Sequence, residues 1–120
     1  MEWEMPEAAL ALIYTTFASS EDAEGVARAL VGAKLAACVN ILPAMTAIYA
    51  WQGEVQRDSE CAVLIKTRQE LVDAVEAELT RLHTYEVPAF LVIPVTRASE
   101  AYGAWLSSQT RAAAAPGGAC

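Results

Sequence analysis

Strand-length apolar runs and helix-period stripes alternate along this chain in the order β-α-β-β-α-β with a short helix to follow, which predicts an α+β domain of the split βαβ kind. Two further observations shape the prediction. Cys38 to Gln52 has extended character, interrupted only by Pro43. A turn at Gln52-Gly53-Glu54 then sends the chain back through an apolar return strand. The 120 residues suit one domain and leave no room for two.

Ala9 to Phe17 is a mostly apolar run of strand length, and Ser19-Ser20-Glu21-Asp22 supplies the hydroxyl cap and acids of a helix start. Ala23, Val26, Ala27, Leu30, Ala33 and Ala37 recur at three and four, predicting a helix to about residue 36. Pro43 suggests a bulge or an edge position in the strand that follows. The return strand is expected from Val55 to Lys66. Thr67-Arg68-Gln69-Glu70 spells a capping box, which places the start of helix two at Thr67. Leu71, Val72, Val75, Leu79 and Leu82 supply its apolar stripe, and Val87 to Val95 reads as a last strand. Ser99 is expected to cap a short helix to about Gln109, with Tyr102, Trp105 and Leu106 turned inward. Residues 1–8 read as an extension, 9–110 as the folded domain and 111–120 as a disordered low-complexity tail.

The arrangement is the ferredoxin-like one, with both helices on one face of an antiparallel sheet. At about 3.3 Å per residue the stretch from Cys38 to Gln52 reaches roughly 50 Å, whereas a compact domain of this length is about 35 Å across. The hairpin is therefore expected to overhang. A ribbon carrying Met45, Ile48, Tyr49 and Trp51 needs a partner edge, which predicts a closed symmetric oligomer; a hairpin bent back at Pro43 is the alternative.

Composition narrows the function classes. The net charge of −7 repels phosphate backbones, so nucleic acid is not an expected partner. The 55% hydrophobic content excludes a disordered chain. Cys38, Cys61 and Cys120 are an odd set with no close pair, which fits reduced thiols in a cytoplasm. The N-terminus is acidic where a signal peptide is basic, and no apolar run approaches the roughly 20 residues that span a bilayer, so no membrane association is expected. Acylphosphatases share the element order but carry a Gly-rich phosphate cradle with an Arg after strand one; here that stretch is Thr15-Thr16-Phe17-Ala18.

Ala36-Ala37-Cys38-Val39-Asn40-Ile41-x-Pro43, Tyr49-x-Trp51-x-Gly53, Lys66-Thr67, His83-x-Tyr85-Glu86-Val87-Pro88 and Tyr102-x-x-Trp105-Leu106 occur in that order. Over about residues 10 to 109 this set resembles the divalent-cation tolerance protein family, CutA. The resemblance implies a non-enzymatic ferredoxin-like homotrimer of the bacterial cytoplasm, assembled through the hairpin edges and linked to tolerance of copper and other divalent cations, with no organic cofactor. Its architecture is also similar to the trimeric PII signalling proteins, which implies the alternative of a sensor for an organic or anionic ligand. Two departures stand out. Thr84 follows His83 and Ala89 follows Pro88 where the family usually has His-Pro-Tyr and Pro-Glu. The cysteine that some relatives place at the end of strand one is absent from Tyr14-Thr15-Thr16.

The candidate metal ligands are His83, Cys38 and Glu86, brought together only by assembly. His83, at the end of helix two, reads equally as a helix C-terminal cap. Cys38 reads as a thiol ligand or as a small core hydrophobe. The candidate ligand-binding residues are Lys66, Glu60, Tyr85, Tyr49, Trp51 and Tyr102, aromatic walls with a few polar groups in an inter-subunit cleft. Lys66 is expected either to hold an anion or to form an ion pair with Glu60 or Glu86, and Tyr49 and Trp51 also suit an interface.

Overall fold

The computed structural model describes residues 9–113. Its elements are β1 (Leu10–Phe17), α1 (Ser20–Gly32), β2 (Cys38–Trp51), β3 (Glu54–Arg68), α2 (Val72–Leu82), β4 (Leu91–Val95) and α3 (Glu100–Ser108). All three strand pairings are antiparallel, in the order β2-β3-β1-β4. This is the split βαβ arrangement expected. The pleat sorts the sheet into two faces. Ile13 and Phe17 of β1 and Val63 and Ile65 of β3 point to one side, where they form a buried cluster with Val26 and Leu30 of α1 and Val75 and Leu79 of α2. The alternate residues, Leu12, Tyr14, Leu64, Lys66 and Cys38, share the opposite face with Leu42, Leu91 and Ile93, of which the last three are 49%, 60% and 45% exposed.

The hairpin overhangs. β1 covers β3 only from Cys61 to Arg68, so among the described residues Met45–Trp51 and Glu54–Glu60 pair with each other alone. The longest dimension is 50 Å and the radius of gyration 15.9 Å. A register shift between Leu42 and Met45 places the expected bulge at Pro43-Ala44, where Ala44 takes a φ of 62°. Gln52 and Gly53, with φ of 50° and 81°, form the two-residue turn whose twist suits a hairpin. Ser19 and Ser99 cap α1 and α3 as expected, accepting from the amides of Asp22 and Tyr102.

Four expectations need correction. Helix one stops at Gly32, short of residue 36: Lys34 is left-handed with a φ of 62°, and the amides of Lys34 and Leu35 return to the carbonyls of Val31 and Leu30. The capping box does not form. Thr67 is wholly buried as part of β3, and its hydroxyl donates to the Leu35 carbonyl at 2.6 Å, tying the end of that strand to the α1–β2 connection. Glu70 pairs with Arg68 instead, and a 3-10 turn over Gln69–Leu71 leads into α2. The last strand begins at Leu91, not Val87, because β1 meets β4 only from Leu10 to Tyr14 and the Thr16 carbonyl is taken by the His83 side chain. Of the residues expected to turn inward on α3, Leu106 is buried, but Tyr102 and Trp105 are 41% and 43% exposed.

Arg111 and Ala113, read as the start of the tail, are tied to the domain. The Arg111 amide donates to the Lys34 carbonyl, Arg68 donates to the Arg111 carbonyl, and Ala113 packs on the core. The extension over 1–8 and the remainder of the tail, Cys120 included, lie outside the described residues.

Candidate functional site

His83 ends α2 in extended backbone, its own amide bonded to Leu79, and this turns the following residues across the end of β1. The ring stacks on Phe17 with centroids 4.1 Å apart. Its Nδ1 accepts from the Tyr85 amide at 3.0 Å, which leaves Nε2 to carry the proton and donate to the Thr16 carbonyl at 2.7 Å. Both ring nitrogens are thus engaged, and the imidazole acts as a bracket between β1 and the segment that carries Tyr85.

Tyr85 in turn donates to Glu60 Oε2 at 2.6 Å, just where β3 leaves the body of the sheet. Burial first and the Glu60 bond second push its phenol well above the ordinary range. Along the same face of β3, Asp58 accepts from Tyr49 of β2, and that bond raises the Tyr49 phenol as well. Two carboxylates and two phenols therefore line the root of the hairpin. Asp58 belongs to this group although the sequence reading did not select it; its position two residues before Glu60 on a strand is the signal that puts both on one face.

Lys66 lies at the other end. It stands six residues beyond Glu60 on β3, roughly 20 Å along the strand, and the described ion pairs join Glu24, Glu70 and Glu78 to arginines, so it forms no ion pair with Glu60 or Glu86. Instead its Nζ donates to the Tyr102 hydroxyl at 3.2 Å. Cys38 pairs with Lys66 across β2 and β3, and its sulfur accepts from the Asn40 side-chain amide at 3.7 Å. Glu86 is exposed, and Trp51 sits at the hairpin tip, 53% exposed. One chain therefore sorts the candidates into two groups. Tyr49, Glu60 and Tyr85 gather with His83 at the hairpin root, while Lys66, Tyr102 and Cys38 lie at the opposite end of the sheet. Among the described residues no three His, Cys, Asp or Glu side chains come together as metal ligands. The subunit by itself does not build the soft or imidazole-rich set that copper prefers.

No described helix is long and apolar enough to cross a membrane. The sequence model of the CutA1 divalent ion tolerance protein family matches residues 11–109. The chain is 40% identical over 100 residues to the chloroplastic protein CutA of Arabidopsis thaliana, covering 83% of this chain and 55% of that one. It thus spans about half the length of that relative. It is 39% identical over 99 residues to the divalent-cation tolerance protein CutA of Thermus thermophilus, covering 82% of this chain and 96% of the other. Among solved structures, that of the divalent ion tolerance protein CutA1 from Ehrlichia chaffeensis superposes with a TM-score of 0.85 at 32% identity, over 89% of this chain and all of that one (100%).

Proposed function

The chain belongs to the CutA1 divalent ion tolerance protein family, and from that premise we propose that it is a non-enzymatic homotrimer that responds to divalent cations, copper among them, through ions held weakly between subunits. The observation that carries this reading is the hairpin. In one copy it leaves Ile48, Trp51 and Val55 in solvent at 68%, 53% and 79% exposure, on strands whose outer edges have no pairing partner among the described residues. Such an edge is a liability unless another copy covers it, and closed symmetry covers it for every copy at once. Assembly would also bring a second and third set of Glu60, Glu86, His83 and Cys38 within reach of the first, which a single chain does not do. A charge of −7 per subunit favours cation capture from solution. Free thiols at Cys38 and Cys61 suit a reducing cytoplasm.

Calorimetry with Cu(II), Cu(I) and Zn(II), beside a sedimentation measurement, tests the proposal on the purified protein, His83→Ala and Cys38→Ser. The expected result is a mass of three subunits and saturable binding at micromolar affinity, no tighter because the imidazole must give up the Tyr85 amide to bind an ion, and weakened in His83→Ala, which has no ring nitrogen to offer. A stable monomer at micromolar concentration removes the basis of the reading. An intact trimer with no saturable binding makes the tolerance role indirect. A second reading, a PII-like sensor of an organic or anionic ligand, draws on Lys66, whose ammonium donates to the Tyr102 hydroxyl and forms no ion pair among the described residues.

A further inference from the structure

A crease of about 260 Å³ lies between the first half of α1 and the end of α2. It belongs to the helix layer, on the side of the sheet opposite the exposed Leu42, Leu91 and Ile93, and one chain builds all of it. Val26, Ala29 and Leu82 give it an apolar floor, Gly25 leaves it open, and Glu21 and Asp22 stand at its rim. Nothing inside the subunit calls for the glycine. Gly25 sits in the body of α1, where glycine is destabilising relative to alanine, it has no positive φ, and a side chain added there would meet no atom within 4 Å. Gly32, seven residues further on, is equally open, and with Ala29 between them the spacing of four and three makes one strip of small residues along the helix. The layer is also acidic. α1 and α2 carry Glu21, Asp22, Glu24, Asp73, Glu76 and Glu78 against Arg28 and Arg81, so −4 of the chain's −7 sits here. Both arginines pair within the layer, with Glu24 and Glu78, which leaves Glu21 and Asp22 without an ion pair among the described residues.

We propose that this crease is a docking surface for a basic amphipathic helix of another protein, an aliphatic side chain of that helix entering beside Gly25 while its Lys or Arg residues meet Glu21 and Asp22. The inference goes beyond the cation reading and does not depend on it, since the crease is complete in one chain. Three features select this partner. The volume lies just below the range of about 300 to 1,000 Å³ found for small-molecule sites, which suits an anchoring side chain better than an enclosed metabolite. The strip from Gly25 to Gly32 runs along a helix and lets a second backbone approach closely, which rewards an elongated partner packed ridge into groove. The surplus of carboxylates, with both arginines already engaged, complements a cationic partner and repels an acidic one.

The test is fluorescence anisotropy on the full chain with a labelled peptide of Leu, Ala and Lys whose leucines recur at helical spacing, beside the same peptide with Glu in place of Lys. Both are repeated on Gly25→Leu and on the double variant Glu21→Gln/Asp22→Asn. Expected is saturable binding of one basic peptide per chain and none of the acidic one. Gly25→Leu fills the crease from within and should weaken the basic peptide by about tenfold or more. Its Tm should not fall, because the new side chain meets open space and a helix-weakening glycine is gone. The double variant, at two positions that are not buried, guards against a folding defect in the first; it should weaken binding by about threefold and flatten its salt dependence. Basic peptide bound equally by wild type and Gly25→Leu overturns the site, since charge alone then accounts for the binding. Basic and acidic peptides bound alike overturn the class of partner. No saturable binding of the basic peptide overturns the proposal as a whole.

Discussion

Tyr85 shows how one hydroxyl joins three parts of the chain: its amide is held by His83, its phenol reaches Glu60, and Glu60 marks the root of the hairpin. Burial and then the carboxylate favour the protonated phenol, so its folded-state pKa lies above the unfolded one. The folded state therefore keeps a proton that the unfolded chain loses above about pH 10. The stability this contributes is complete below that value and is lost as pH rises through the folded pKa. Wild type should lose stability more steeply above about pH 10 than Tyr85→Phe, and the variant should be about 1 kcal/mol less stable at neutral pH. Denaturant unfolding at a series of alkaline pH values checks this; superimposable alkaline limbs in the two proteins would exclude the Tyr85–Glu60 pair as the cause. The residues of this group were legible in the sequence as types, but their bonds were not. His83 is fixed by a backbone carbonyl and a backbone amide, neither of which carries a sequence signal, and Lys66 and Glu60 share a strand face yet stand too far apart to meet.

At the scale of elements, order and faces were readable because periods of two and of three to four survive in single-sequence patterns. Ends were not. On paper the apolar stripe of helix one continues through Ala33 and Ala37, but the chain closes the helix with a left-handed Lys34, a position where glycine would have announced the stop. What compensates is Leu35, whose amide returns to Leu30 and whose side chain joins the same core cluster. Lys34→Gly removes the strain of a side chain at a φ of 62° and should stabilise the fold by about 1 kcal/mol, read as a rise in Tm of a few degrees. A fall in Tm would mean that the lysine makes a contribution of its own. Thr67 misled for a related reason: Thr-x-x-Glu is a helix start only if the threonine is free, and here its hydroxyl is already bonded to Leu35 in the core.

For the whole molecule, the two faces of the sheet are unequal. One is sealed by α1 and α2, while the other presents Leu42, Leu91 and Ile93 to solvent beside the overhanging ribbon. Ile93→Glu puts a charge in the middle of that apolar face, opposite Leu12, where a lone copy tolerates it and a covered one does not. If the proposed trimer forms through this face, sedimentation should find the variant as a monomer with its far-UV spectrum retained; a variant of the same mass as the wild-type assembly would place the subunit contacts elsewhere. The overhang itself has a consequence for abundance. A ribbon that leaves the body of its own domain keeps its β2–β3 pairing but has no core beneath it, and in the proposed trimer the other copies supply that packing. The apparent stability of such an assembly follows mass action, rising with the amount of protein present. Dilution alone would then loosen this molecule, and a cell that makes too little of it would be left with chains whose longest element has nothing to lie against.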